Sequence, residues 1–310
     1  GVRRSMWAAT TASTTALLVC ATSPSAPVLG LGLLVGGLGN AIGQPAGNAL
    51  VAAHVRPERY GLGFAIKQSG IPLATTLGGL AVPLIALTLG WRYAYMLAAL
   101  AAVSAVLLVP RDRPATAARS ERRVPTELTG RLWVLAVGMV AAVIAATSIG
   151  ALGAAGGVQA GLSEATAGYL VAAGGLAGLS VRLAAGVSAD RWDFDALIGV
   201  SILCVLGAVG WLLMAAGPQP LFVVGLVVAN AFGWGWPGLQ HLSVARRFPT
   251  STAAASGVAQ TGVSAGLLIG PLTLGVIAGI DWSLMWLVAG ICALVGAAVV
   301  RVAASLIPRG

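Results

Sequence analysis

The chain contains 310 residues, of which 58% are hydrophobic and only 9% carry a charge. Soluble domains are about half apolar and about a quarter charged, so this composition indicates an integral membrane protein and leaves no stretch suited to a soluble catalytic domain. The net charge of +9 is compatible with binding to nucleic acid or anionic lipid, but its distribution between the hydrophobic segments indicates a topology signal instead.

Hydrophobic segments long enough to form membrane-spanning helices recur along the whole chain. A helix needs about 20 residues to cross about 30 Å of hydrocarbon. Ten segments approach or exceed this length: 5–22, 27–51, 61–87, 91–109, 131–151, 165–185, 196–216, 219–240, 252–278 and 283–305. The sequence therefore predicts an all-α integral membrane protein with ten transmembrane helices.

The connections between these segments alternate in charge. Nearly all the arginine lies in every second connection, as in GVRR, PRDRPATAARSERR, ADRWD and ARR, whereas TSPSAP and GPQP on the other side carry none. Because connections rich in Lys and Arg stay in the cytoplasm, we expect a multi-pass protein of the inner (plasma) membrane with both termini cytoplasmic. The Pro-rich connection at 110–128 is expected to be flexible and divides four spans from six.

Two parts of the chain repeat each other. GNAIG at 39–43 recurs as ANAFG at 229–233, and Arg56 recurs as Arg246. Further along, Gln68 matches Gln260 at almost the same offset. The order and spacing of these pairs predict two halves related by duplication, an arrangement that is common among secondary transporters.

A short motif in the second half gives a more specific signal. Gly186, Asp190 and Arg191 in GVSADRWDF match the first part of G-x-x-x-D-R-x-G-R-R, although Asp193 replaces the second glycine and the basic tail is missing. The opening GVRR matches the end of the same motif. With the repeat, this motif resembles the signature loop of the major facilitator superfamily, whose members have two six-helix halves joined by a cytoplasmic loop.

The resemblance implies a pseudo-symmetric helical bundle with ten of the twelve family helices present. Residues 1–109 would form the N-terminal half with family helices three to six, 110–128 the central loop, and 129–310 the C-terminal half with helices seven to twelve. Two further helices are expected before Gly1, because the chain begins within the motif.

The resemblance also implies a cytoplasmic gate. In the family the signature loop braces a helix pair against the opposing half when the carrier faces outward. Asp190 would lie at the N-terminus of the span that begins near Gly61 and would pair with Arg246. Arg56, Gly186 and Arg191 complete the expected gating set: they share the arginine-rich side with Asp190. Alternatively, Asp190 only fixes topology.

The glycines of one span form a pattern that resembles that of a particular group of transporters. The span at 61–87 is similar to the fifth helix of certain drug/proton antiporters, G-x8-G-x3-G-P-x2-G-G, with matching glycines at Gly61, Gly70, Gly78 and Gly79. Ala74 and Thr75 stand in place of the Gly-Pro pair. The simpler explanation is that small residues let helices approach closely in lipid.

Polar side chains form a stripe in one span of each half. Asn40, Gln44 and Asn48 recur every four residues and therefore share one helix face. Asn230 and Trp234 share a face of the corresponding span, which also contains Pro237. By the resemblance both spans line a central cavity, so these residues are candidate substrate ligands. The alternative is hydrogen bonding between helices.

Cationic residues within the spans bear on the charge of the cargo. Lys67, the only lysine of the chain, precedes Gln68, whereas the repeat places Ala259 and Gln260 at these positions. This one-sided cation beside a shared polar site predicts an anionic cargo bound by Lys67 with Gln68 and Asn40, and Gln260 is a further candidate ligand. Alternatively, Lys67 reaches cytoplasmic water. We expect Arg182 to snorkel to the cytoplasmic surface and His241 to lie at the interface.

These features predict a secondary transporter that moves a small solute, with an organic anion as the favoured cargo, by alternating access. The alternative is a drug/proton antiporter, while a channel or a receptor would require neither the repeat nor the DR motif. An enzyme is not expected, because paired carboxylates and HExxH are missing from the predicted spans. Cys20, Cys204 and Cys292 lie apart and are interpreted as packing residues.

The expected partners follow from this function. We predict a monomer in the lipid bilayer that binds a small-molecule substrate, no nucleic acid, no cofactor and no metal. A proton or another ion is a candidate coupling partner. No Asp or Glu lies in the middle of a predicted span, so a coupling carboxylate would have to lie outside these ten helices.

Overall fold

The computed structural model describes residues 2–106, 124, 126–192 and 194–308, which fold into α-helices joined by short connections. The helices are α1 (Val2–Thr22), α2 (Ala26–His54), α3 (Tyr60–Gln68), α4 (Gly70–Ala81), α5 (Trp91–Val106), α6 (Thr126–Gln159), α7 (Glu164–Arg191), α8 (Ala196–Ala215), α9 (Gln219–Gly233), α10 (Pro237–Arg247), α11 (Thr252–Ala278) and α12 (Trp282–Leu306). A 3₁₀ turn, Pro57–Arg59, precedes α3, and a π-helical segment, Val82–Ala86, follows α4.

The predicted class of all-α membrane protein is confirmed. In the described part of the chain, eight helical segments are long and apolar enough to cross a membrane, and they coincide with eight of the ten predicted spans. The predicted spans at 5–22 and 91–109 are also helical, as α1 and α5. These two helices are not counted among the eight. The helix α1 is rich in Thr and Ser and therefore less hydrophobic, and the described part of α5 has only 16 residues.

Two predicted spans are interrupted rather than continuous. In the span at 61–87, α3 ends at Gln68 and α4 begins at Gly70, so that Ser69 forms a turn. In the span at 219–240, α9 ends at Gly233 and α10 begins at Pro237. Proline has no N–H and its ring clashes with the carbonyl four residues earlier. Pro237 therefore begins a new helix, and the predicted span is divided into two helices.

The described residues cluster into two compact units. The first comprises those within Gly1–Arg56 and Ala81–Ser120, and the second those within Pro57–Leu80 and Glu121–Gly310. The predicted loop at 110–128 falls largely outside the described residues, and α6 already begins at Thr126. The two halves inferred from the sequence repeat remain a prediction.

In the first unit α1 packs against α2 and α5. Close approach of α1 and α2 requires small residues, because a Cβ added at Gly39 would lie 3.1 Å from the Ala9 carbonyl oxygen. The Arg92 guanidinium at the start of α5 donates a hydrogen bond of 2.8 Å to the Ser23 carbonyl. This bond fixes α5 against the α1–α2 turn.

In the second unit an apolar core cluster lies among α6, α7, α8, α9, α11 and α12. Trp211 is fully buried there, and its indole N–H donates a hydrogen bond of 2.9 Å to the Ser148 hydroxyl. Apolar side chains also cover outer faces, as at Leu176, Ile202 and Leu268, which are more than half exposed. Such apolar faces are stable against the hydrocarbon of a lipid bilayer, because they leave no polar group without a hydrogen-bond partner.

Candidate functional site

The α3–α7 seam, where α3 and α4 pack against α7 within the second unit, contains two of the five predicted gating residues, Gly186 and Asp190. The two sides run antiparallel, since Gly61 lies beside Gly186 and Gly79 beside Ala172. A Cβ added at Gly79 would lie 2.5 Å from the Ala172 nitrogen. Packing of this closeness needs glycine.

The seam explains half of the antiporter-like glycine pattern. Gly61 and Gly79 are held against α7, and added side chains there would collide with it. A Cβ added at Gly70 or Gly78 would instead meet no atom within 4 Å. Close packing therefore accounts for two of these four glycines.

Asp190 lies at one end of the seam, at the N-terminus of α3, as the sequence predicts. Its Oδ1 accepts a hydrogen bond of 2.7 Å from the Gly61 N–H, and its Oδ2 accepts one of 2.8 Å from the Leu62 N–H. These amides have no partner within their own helix, and the positive end of the helix dipole favours a carboxylate. Gly61 is required because an added Cβ would lie 2.5 Å from Asp190 Oδ1.

The expected ion pair between Asp190 and Arg246 is wrong. Arg246 donates a hydrogen bond of 2.9 Å to the carbonyl oxygen of Ala189, one residue before Asp190. Both carboxylate oxygens of Asp190 already accept backbone N–H groups, whereas carbonyls in the last turn of a helix lack partners within the helix. Arg246 thus fastens α10 to α7 through the backbone.

The remaining predicted gating residues occupy different positions. Gly186 is buried in the seam, where an added Cβ would lie 2.5 Å from the Ala65 Cβ. Arg191, the last residue of α7, is exposed. Arg56 is also exposed and belongs to the first unit. Packing therefore constrains Gly186, whereas the side chains of Arg56 and Arg191 are accessible.

Arg182 is buried, so the expectation that it snorkels to the surface is wrong. Only 1% of the residue is exposed, and its two terminal nitrogens donate hydrogen bonds to the carbonyl oxygens of Gln68 and Trp234. Both carbonyls lie at helix breaks. Pro72 lacks the N–H that would otherwise bond to Gln68, and Trp234 lies between α9 and α10. The breaks provide acceptors that draw the guanidinium inward.

Further polar side chains surround these two breaks, and we call the whole set the polar junction: Lys67, Gln68, Arg182, Asn230, Trp234, Trp236 and His241. His241 is 4% exposed and stacks on Phe64 with ring centroids 5.9 Å apart, so its predicted interfacial position is wrong. Lys67 is half-buried, and both Lys67 and Arg182 lie within electrostatic reach of the His241 ring. The junction therefore concentrates positive charge within apolar helices.

The polar junction also contains buried hydrogen-bonding groups that have no partner among the described residues. They are Arg182 Nε, Asn230 Nδ2, Trp236 Nε1 and His241 Nδ1. Buried polar groups are almost always hydrogen-bonded, and three of these four are donors only. The junction is thus chemically suited to a group with hydrogen-bond acceptors.

The other predicted ligands lie outside this junction. In the first unit the Gln44 side chain donates a hydrogen bond of 3.2 Å to Asn40 Oδ1, which shows that the two share a helix face as predicted. Asn48, one turn further, is half-buried. Gln260 is half-buried on α11, which packs chiefly against α6. The structure thus brings together Lys67, Gln68, Asn230 and Trp234 of the predicted binding set.

Sequence reasoning missed an ion pair at the arginine-rich end of the second unit. Asp195 and Arg247 are 2.7 Å apart, and each side chain is 5% exposed. Asp195 also caps α8 by accepting from the Leu197 N–H, while Arg247 donates to the carbonyl of Ile307 beyond α12. The pair thus ties together α8, α10 and the end of α12.

Comparisons with known proteins agree with this architecture. The family model of the Major Facilitator Superfamily matches residues 1–254. No curated protein gives a significant match. Among solved structures, the human organic anion transporter MFSD10 (TETRAN) is 19% identical with a TM-score of 0.67, covering 99% of this chain and 77% of its own.

A second solved structure, the transporter FucP in the outward conformation, is 12% identical with a TM-score of 0.65 and covers 98% of this chain and 82% of its own. At such identities the two structures establish a common fold. The family match covers well over half of the chain. The chain therefore belongs to the Major Facilitator Superfamily and is a multi-pass secondary transporter of small molecules.

Proposed function

We propose that this transporter moves a small organic anion across the plasma membrane by alternating access. The observation that carries the proposal is the pair of cations, Lys67 and Arg182, within the apolar second unit. A charge in hydrocarbon is costly, so ionisable residues within spans mark substrate or ion pathways. The similar fold of MFSD10, described as an organic anion transporter, supports the same cargo class.

The proposed binding set combines charge, hydrogen bonds and an aromatic surface. Lys67 attracts the anionic group, and its neighbour Gln68 belongs to the same polar junction. The half-buried ring of Trp234 can stack on cargo. Within the second unit Asn230 supplies a further hydrogen bond, and Gln260 on α11 is a further proposed ligand. The amides Asn40, Gln44 and Asn48 are proposed ligands on the first unit.

The proposed gate is the α3–α7 seam. Asp190 holds the N-terminus of α3, so α3 can leave α7 only when its two hydrogen bonds break. Arg246, Arg191 and Arg56 accompany it on the arginine-rich side, which we place in the cytoplasm together with both termini. Closing and opening of this seam would admit cargo from one side at a time.

Counterflow tests transport of an anion directly. We expect the full-length carrier in proteoliposomes to exchange a labelled aromatic carboxylate, benzoate in the first trial, against an excess of unlabelled carboxylate on the opposite side. The neutral isostere benzamide should not exchange. Uptake without trans-stimulation would indicate a channel, and exchange of benzamide at the same rate would contradict the anion preference.

A drug/proton antiporter is the second candidate. The observation that favours it is that Gly70 and Gly78 match the antiporter pattern yet have no packing role in the seam. An imposed pH gradient distinguishes the two functions. Accumulation of a lipophilic cation driven by that gradient would favour the antiporter.

Lys67→Ala is expected to weaken anion uptake, while Lys67→Arg retains most of it. Hydrogen bonds to charged groups contribute about 1.5–3 kcal/mol, so the apparent KM should rise about tenfold or more in the alanine variant. Radiolabelled uptake at a matched protein amount measures this change. Arg59→Ala is the control, since Arg59 is an exposed basic residue of the same span. Equal uptake by both Lys67 variants would make Lys67 an interfacial anchor.

A further inference from the structure

One helix, α7, holds the short helix α3 at both of its ends. Asp190 accepts from the amides of Gly61 and Leu62 at its N-terminus, and Arg182 donates to the carbonyl of Gln68 at its C-terminus. The two charged residues are eight positions apart, or about 12 Å along α7. This spacing matches the nine residues of α3, whose ends lie about as far apart.

The signs of these charges suit the helix dipole. A carboxylate stabilises the positive N-terminal end of a helix and a cation the negative C-terminal end. Asp190 and Arg182 therefore act on α3 in the same sense, each from the appropriate end. Both of these fastenings contact the backbone of α3 and not its side chains.

Arg182 also fastens the second helix break. Its other terminal nitrogen donates to the carbonyl of Trp234, which follows the end of α9. Among the described residues no carboxylate pairs with Arg182, so carbonyl dipoles compensate its charge. A planar guanidinium can donate to two separate acceptors in a fixed geometry, whereas a lysine ammonium is a compact charge with three rotatable donors on one nitrogen.

We propose that Arg182 is a positioning residue that latches α3 to α9 and must release both carbonyls before α3 can leave α7 during transport. This inference rests on the proposed gating by the α3–α7 seam. Asp190 is the outer fastening of the latch and Arg182 the inner one. Loss of Arg182 shifts the population towards the conformation in which α3 is separated from α7.

Hydrogen exchange of the backbone tests the latch without knowledge of the cargo. The full-length carrier in lipid nanodiscs is compared with Arg182→Gln and Arg182→Lys by mass spectrometry of peptides from α3, the α9–α10 break and α8. In both variants we expect exchange in α3 and at the break to rise about tenfold, as for a locally opened segment. Exchange in α8, which reports the core around Trp211, should remain at the wild-type rate.

The matched control is the substitution of another arginine that also donates to a carbonyl at the end of a helix. Arg131 donates a hydrogen bond of 2.8 Å to the Leu306 carbonyl at the end of α12, but in an exposed setting. Arg131→Gln should leave exchange in α3 unchanged. The double variant Asp190→Asn with Arg182→Gln should exchange faster in α3 than either single variant, because the two fastenings at opposite ends of α3 contribute separately to the free energy of opening.

Three results would overturn the latch. The first is wild-type hydrogen exchange of α3 in Arg182→Gln, and the second is wild-type hydrogen exchange of α3 in Arg182→Lys. The third is an equal rise of exchange in α8, which would make Arg182 a general support of the fold. Counterflow separates these failures from a failure of the proposed function. If counterflow succeeds and α3 does not open, only the latch is refuted. If α3 opens but benzoate does not exchange, the latch stands and the cargo proposal is refuted.

Discussion

Asp190→Asn is expected to slow transport about tenfold or more while expression and membrane insertion remain normal. Asparagine can accept only one of the two backbone hydrogen bonds, from Gly61 or Leu62, and has no charge for the helix dipole. Hydrogen bonds to a charged group contribute about 1.5–3 kcal/mol each, and about 1.4 kcal/mol changes an equilibrium tenfold. The closed seam would therefore be populated too rarely for efficient cycling.

Initial uptake rates in proteoliposomes, normalised to the reconstituted protein, measure this effect. Asp281→Asn is the control, because Asp281 also caps a helix, α12, by accepting a hydrogen bond of 2.6 Å from the Leu284 N–H. That cap is exposed and lies outside the seam. If Asp190→Asn transports as fast as Asp281→Asn, the carboxylate fixes topology and does not act in a gate.

The position of Asp190 could be predicted because it depends on a local motif. The spacing from Gly186 to Asp190 places the carboxylate at the end of a span. The free N–H groups at the N-terminus of another helix readily bind such a negative charge. The partner of Arg246 could not be predicted, because a carboxylate and a carbonyl one residue apart are both within its reach. The carbonyl of Ala189 is available only because α7 ends there.

Continuity of the helices could not be predicted from their prolines. Pro45 and Pro271 lie inside the continuous helices α2 and α11, whereas Pro237 begins a new helix. Each proline leaves a carbonyl without its helical partner. At the first break Arg182 donates to the carbonyl of Gln68, which Pro72 frees, and at the second it donates to the carbonyl of Trp234. Arg182 lies more than 100 residues from Gln68 and more than 50 from Trp234, so the sequence alone could not place it at the breaks.

The same dependence on distant elements explains the error at His241. Counting along its span places His241 near the cytoplasmic end, where a histidine is normally solvated. In the structure Phe64, from a different span, stacks on the ring and buries it. Hydrophobicity and period therefore predict the order of the helical spans, but neither where a span is interrupted nor which polar residues a neighbouring helix encloses.

Asp195→Ala is expected to destabilise the fold more than any other single substitution considered above. Asp195 and Arg247 form a buried ion pair at 2.7 Å, and removal of one partner from such a pair costs about 3–5 kcal/mol because the other charge is left uncompensated. The substitution also removes the N-terminal cap of α8, where Asp195 accepts from the Leu197 N–H. A cap alone contributes about 0.5–2 kcal/mol.

Thermal unfolding of the purified carrier in detergent measures this loss, and the matched control is Asp281→Ala, which removes a helix cap without an ion pair. A second comparison separates the pair from the cap. In the double variant Asp195→Ala with Arg247→Leu no buried charge remains, so stability should recover partly, because replacement of both partners by apolar groups is often neutral. If Asp195→Ala lowers Tm no further than Asp281→Ala, the ion pair contributes nothing beyond the cap and α8, α10 and α12 are held by packing alone.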